Sequence, residues 1–144
     1  MMGATLTVLA GLPASGKSTY ARAHVGGAAL LSADSIREGE AAGKVFARLH
    51  RIAAWHLASG RDVWIDACSL QVRSRQEWLV LARKAGARAV LVIIEASVAV
   101  CRARDRARAQ PAGVSWGKYT TEWAALPALA AREGWARVER VRGA

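Results

Sequence analysis

Residues 4–19 read ATLTVLAGLPASGKST, and the way this stretch breaks in two decides the fold. Ala4 to Ala10 is a short apolar run carrying the β-branched residues Thr5, Thr7 and Val8, the pattern of a buried strand. Gly11 to Ser18 is a glycine-punctuated turn that fits G-x-x-x-x-G-K-[ST], and a helix is expected from Thr19 to His24. Gly11 and Gly16 permit backbone angles that a Cβ would forbid. The loop, with Ala14 and Ser15 inside it, can then turn successive N–H groups inward at a helix N-terminus and cradle an anion. Lys17 supplies a point charge for the β- and γ-phosphates of ATP. The Ser18 hydroxyl is placed to hold Mg²⁺, and Thr19 is placed for a supporting phosphate contact.

Outward from this unit the periodicity keeps switching. Ala28 to Leu31, Val63 to Ile65 and Arg88 to Ile94 are further apolar runs of strand length, and Trp135 to Val141 alternates as a closing edge strand would. Between them, Lys44 to Ala58 spaces Val45, Leu49, Ile52 and the Trp55/His56 pair by three and four residues, with Gly60 as C-cap. Val72 to Ala85 places Trp78, Leu79 and Ala82 on one side. Val98 to Ala109 reads as a helix that stops before Pro111. Thr121 to Glu133 reads as another, broken or kinked by Pro127. Residues 110–118, including Trp116, are the one loop-like stretch long enough to be mobile. Strands without polar alternation, separated by helices, argue for an α/β fold with a parallel sheet covered on both faces.

Composition sets limits. A chain of 144 residues suits a single domain over residues 1–144. At 53% hydrophobic and 22% charged it can bury a core, which excludes a disordered chain. No apolar run approaches the roughly 18–20 residues of a membrane span, so no membrane partner is expected. The N-terminus lacks a basic region and runs straight into the glycine motif, unlike a signal peptide. Cys68 and Cys101 are too few for a disulfide framework, and a reducing cytoplasm is the simplest location. The formal charge of +10 favours polyanionic partners, although a GC-rich genome would also inflate arginine and alanine together. Nothing in the sequence sets an oligomeric state.

Several carboxylates and arginines are candidates for the chemistry. Asp66 follows the run VWI in the manner of a Walker B aspartate, or else caps the next helix. Glu95 also ends a strand, where a carboxylate at a helix N-terminus explains it equally well. Asp34 lies in LLSADSIR after the second strand, with Arg37 three residues on. It reads either as an N-cap or as the base that activates an acceptor hydroxyl. Arg102, Arg104, Arg106 and Arg108 alternate through CRARDRAR, which makes two i,i+4 pairs on nearly opposite helix faces. One pair can face a phosphate, where it would stabilise charge spreading in phosphoryl transfer. Asp105 can pair with Arg102 or Arg108. The three histidines lack metal-ligand spacing, and Cys68 reads as a packing residue. The six tryptophans read mostly as core, with Trp116 the one placed to stack on a base.

Taken together, these residues resemble the 5′-hydroxyl polynucleotide kinase branch of the P-loop kinases. GLPASGKST at Gly11–Thr19 is similar to that group's loop. SADSIR resembles its acceptor-side segment, which implies a base at Asp34 and an acceptor-phosphate contact at Arg37. DACSL followed by Arg75 resembles D-A-T-N-L-x-x-x-x-R, with Cys68 and Ser69 standing for Thr and Asn. R-D-x-x-R at Arg104–Arg108 resembles the lid's R-N-x-x-R, which implies that Arg104 and Arg108 bind ATP phosphates from a lid over about residues 101–118. Glu133 and Gly134 before the last strand also match. The resemblance implies a three-layer αβα sandwich on a five-stranded parallel sheet. It further implies an ATP- and Mg²⁺-dependent kinase whose acceptor is the 5′-OH of DNA or RNA, or a hydroxyl on a modified base such as 5-hydroxymethyluracil. The same loose group holds zeta-toxin-like and small-molecule kinases. A kinase for a nucleoside, sugar or antibiotic and a nucleotide-gated binding module with ATPase activity alone are therefore the rival expectations.

Overall fold

A computed structural model of the chain describes residues 3–32, 42–108 and 111–143. Asp34 and Arg37 lie outside the described residues. Strand β1 (Thr5–Ala10) leads through the glycine loop into helix α1 (Lys17–His24), followed by β2 (Ala29–Ser32) and α2 (Ala42–Ala58). The chain continues with β3 (Val63–Asp66), α3 (Val72–Lys84), β4 (Arg88–Glu95), α4 (Val98–Arg106), α5 (Trp116–Ala130) and β5 (Arg137–Arg142). The strands form one five-stranded sheet in the order β2-β3-β1-β4-β5, and every pairing is parallel.

Alternation of side chains across each strand splits the core into two layers. On one face Leu6, Val8, Ile65, Leu91 and Ile93 meet Val45 and Leu49 of α2, Trp78 and Ala82 of α3, Cys101 of α4, and Leu126 and Ala130 of α5. On the other face Leu9, Val90, Val92 and Ile94 meet Ala21 of α1, with Tyr20, Trp64 and Val141 at the margin. This is the expected αβα sandwich. Parallel strands need covering on both faces, and the apolar runs without alternation reflect that.

Three local expectations are corrected. Helix α5 begins at Trp116, five residues before the expected start, and runs through Pro127 to Ala130. The Trp116 ring packs against the core, so it anchors a helix instead of riding a loop. Helix α4 ends at Arg106 because Asp105 turns inward and accepts the Ala112 N–H at 3.0 Å, which brings the chain back on itself. Trp55 is 67% exposed and is no part of the core, while Trp78 is 1% exposed and lies at its centre. Among the described residues no helix is long and apolar enough to cross a membrane.

Candidate functional site

The order β2-β3-β1-β4 makes the connections from β1 and from β3 leave in opposite directions. That reversal opens a crevice beyond the C-terminal ends of the strands, where α/β sheets receive ligands. The glycine loop fills it. Ala14 at φ 63° and Gly16 at φ 97° stand in the left-handed region and turn the loop's amides toward its hollow. A Cβ on Gly11 would sit 3.0 Å from Ser15 Oγ and 3.1 Å from the Ile94 carbonyl, so close approach demands glycine there. Helix α1 starts at Lys17, two residues earlier than expected, with Gly16 as a left-handed N-cap.

Lys17 is nearly buried, and its ammonium donates to Leu12 O at 2.7 Å and Gly11 O at 3.2 Å. The charge is thus bent back across the loop instead of extending into solvent. The Ser15 hydroxyl is buried without a partner. A buried donor left unmet costs about 1–3 kcal/mol, a debt that an anion in the cradle removes. Ser18 Oγ donates to Asp66 Oδ2 at 2.6 Å. The α1 hydroxyl and the β3 carboxylate therefore meet as sequence reading anticipated. Two hard oxygen donors beside a phosphate cradle are the chemistry Mg²⁺ takes, since that ion keeps waters and phosphate oxygens as its other ligands. Among the described residues no group of three or more metal-ligating side chains exists, so a dedicated all-protein metal cage is absent there.

Behind the loop is a contact that spacing alone does not reveal. Arg75 on α3 is fully buried and grips Glu133, with Nε at 2.8 Å from Oε1 and Nη2 at 2.7 Å from Oε2. Its Nη1 donates to the carbonyls of Ser69 and Leu70 at 3.0 and 2.8 Å. Trp135 Nε1 donates to the same carboxylate at 2.9 Å. Burial alone would raise the Glu133 carboxyl, but hydrogen bonds from Arg75 and Trp135 and the Arg75 charge outweigh it and hold the group below its usual range. The knot fixes the turn after Asp66, where Ser69 sits at φ 50°. Cys68 O in that turn accepts the Gly11 N–H at 2.9 Å, so the turn and the cradle are braced together. Arg75 and Glu133 were each visible in the sequence as motif letters. With 58 positions between them, nothing local says that they pair.

The arginines of α4 and of the turn that follows it divide by partner. Arg104 Nη1 reaches the Ala14 carbonyl of the loop at 3.4 Å, while Arg108 Nη1 lies 3.5 Å from the buried Asp105 carboxylate. Arg102 and Arg106 are exposed. Burial pushes the Cys101 thiol up, and Lys17, Arg104 and Arg108 lie close enough to pull against that rise. Glu95 is taken by Arg140 at 2.8 Å and stays out of the Ser18–Asp66 contact. Ser32, the last residue of β2, pairs in register with Asp66. A cavity of about 490 Å³ lined by Glu95, Ser97, Trp123, Arg142 and Gly143 opens beside the loop. Gly143 touches that loop so closely that a Cβ there would overlap Ser15 O.

The family model described as AAA domain matches residues 6–126. The chain belongs to this family of P-loop kinases. No curated protein matches. Solved structures share the P-loop kinase fold at low identity. A chain of the Pnkp1/Rnl/Hen1 RNA repair complex superposes with TM-score 0.75 at 18% identity, over 92% of this chain and 47% of its own length. The present chain thus spans about half the length of that relative. Kti12 from Chaetomium thermophilum, in complex with ADP-AlF3, gives TM-score 0.72 at 20% identity, over 95% of this chain and 88% of that one. A gluconokinase from Sinorhizobium meliloti 1021 gives 0.60 at 20%, over 100% of this chain and 85% of that one. A P-loop kinase fold implies nucleotide binding.

Proposed function

We propose that the chain is an ATP- and Mg²⁺-dependent kinase whose acceptor is the 5′-hydroxyl end of DNA or RNA, acting as a single domain over residues 1–144 in the cytoplasm. The observation that carries the kinase reading is the 2.6 Å contact of Ser18 with Asp66 at the mouth of an amide cradle. The acceptor reading draws on the +10 charge and on likeness to a chain of an RNA repair complex. Magnesium ATP supplies the phosphoryl group and part of the charge that steadies it.

The chain's own residues do the rest. Lys17 and the amides of Gly11, Ala14, Ser15 and Gly16 bind the β- and γ-phosphates, with Thr19 in support. Ser18 and Asp66 hold the metal. The cavity lined by Trp123 and Gly143 takes the nucleoside. Asp34 accepts the proton of the acceptor hydroxyl and Arg37 positions the acceptor. Arg104 and Arg108 close over the phosphates and neutralise charge that spreads during transfer.

A second reading, a small-molecule kinase, is favoured by the gluconokinase likeness over the full chain. Transfer from γ-labelled ATP, run with a 5′-OH oligonucleotide, nucleosides and gluconate in competition, separates the two. The oligonucleotide is expected to take the label. Label on a small molecule alone, or hydrolysis with no labelled acceptor, refutes the polynucleotide reading. Asp34→Ala is expected to abolish transfer while ATP binding persists, and transfer near the wild-type rate removes Asp34 as the base.

A further inference from the structure

Helix α2 buries Val45, Leu49, Ala53 and Leu57 and turns Lys44, Arg48, Arg51 and Trp55 outward. At about 100° per residue these four fall within one narrow stripe along the outer face. The helix carries no acidic residue from Ala42 to Ala58. Glu77 on neighbouring α3 is occupied by Arg73 at 3.2 Å and faces His50 at 3.9 Å. Among the described residues the stripe thus presents the exposed cations Lys44 and Arg51 and ends on an indole that is 67% exposed. A large exposed aromatic has no packing reason, and His56 meets it only edge-on, with centroids 4.9 Å apart. Basic side chains interleaved with an open aromatic ring are what unpaired nucleic acid requires, because cations track phosphates and a base stacks on the ring. An acidic protein segment would use the cations and leave the indole idle.

We infer that the outer face of α2 is a track for single-stranded nucleic acid, with Lys44 and Arg51 on phosphates and Trp55 stacked on a base. The assignment rests on the polynucleotide reading for its direction. Strand β2 ends at Ser32 on the edge that holds Asp66, and α2 leads back toward Val63 at the opposite edge. Lys44 therefore lies nearer the catalytic edge and Trp55 farther from it. The stripe spans about 16 Å, enough for a few nucleotides behind an acceptor end.

Anisotropy of a labelled single-stranded 20-mer titrated with the full chain, without ATP and across a salt series, tests it. Trp55→Ala is expected to weaken binding about 5- to 100-fold with the salt slope unchanged. Arg51→Glu should weaken binding and flatten the log–log slope by about 0.7 or more. Arg88→Glu, the same charge change at the exposed first residue of β4, off the α2 face, should do much less. The track is refuted if the wild-type chain does not bind the 20-mer, if Trp55→Ala binds within twofold of wild type, or if the two charge reversals lose affinity alike. Phosphorylation of a 5′-OH dinucleotide, too short to reach Trp55, is scored separately. The binding pattern without that transfer sinks the kinase acceptor reading and supports the track. Transfer without the pattern does the reverse.

Discussion

Arginine serves this molecule in two opposite settings. Behind the glycine loop Arg75 is fully buried, and all three of its nitrogens bond to Glu133, Ser69 and Leu70. Arg104 and Arg108 lie at the surface, the first 3.4 Å from the Ala14 carbonyl of the loop and the second 3.5 Å from Asp105. The first guanidinium holds a turn in place, and its charge is fully committed. Arg104 meets a loop carbonyl and Arg108 the Asp105 carboxylate, both at longer range and within reach of solvent. Surroundings, and not residue type, set what an arginine is committed to, because a buried charge is tolerable only when every donor is matched.

The sharpest way to break this contrast is to exchange the consequences. Arg75→Ala leaves a buried carboxylate without its partner and is expected to cost about 3–5 kcal/mol in denaturant unfolding. A loss under about 1 kcal/mol would mean that the knot is dispensable. Next in size, Arg104→Ala is expected to lower kcat/KM about 100- to 1000-fold, while unfolding free energy stays within about 0.5 kcal/mol of wild type. Arg108→Ala should cost less activity, since Asp105 already engages that side chain. Equal losses would show that Asp105 does not restrain it.

A pH series sharpens the buried side. The Glu133 carboxyl is held below its ordinary value of 4.5, so its stabilisation is present above that pH and lost as pH falls through the folded-state value. The stability gap between wild type and Glu133→Gln is therefore expected to narrow below pH 4.5. A gap that is flat from neutral pH into acid would remove Glu133 as a charged anchor. The smallest effect concerns the loop itself. Ala14 occupies φ 63°, where a Cβ costs roughly 1–2 kcal/mol, and glycine restores part of that cost to the unfolded chain's freedom. Ala14→Gly should raise stability by less than about 1 kcal/mol, read as a small increase in Tm. A decrease would place the strain of the loop elsewhere.

The strands and the cradle were legible because their causes are local. Continuous apolar runs, glycines at two fixed offsets and a lysine before a serine state their own backbone needs. The Ser18–Asp66 meeting was legible too, since the end of a strand beside β1 has one edge to point into. The start of α5 was not. Trp116 sets that start by its core contact. Pro127 suggested a break, but Leu126 and Ala130 beside it are buried in the core and carry the helix through the single missing N–H. Trp55 misled for a different reason: its neighbour His56 suggested packing, although its spacing puts it in the stripe of Lys44, Arg48 and Arg51, and in the structure it is turned out.

By itself, then, the chain's order of residues determined an alternating α/β topology and a glycine loop at residues 11–18 that leads into a helix, because both arise from interactions a few residues long. Tertiary structure alone decided that Arg75 closes on Glu133, that Arg104 instead of Arg108 reaches the loop, and that Gly143 presses against Ser15. Each joins segments distant in the chain, and their pairing depends on how the sheet stacks its strands, which no local spacing encodes.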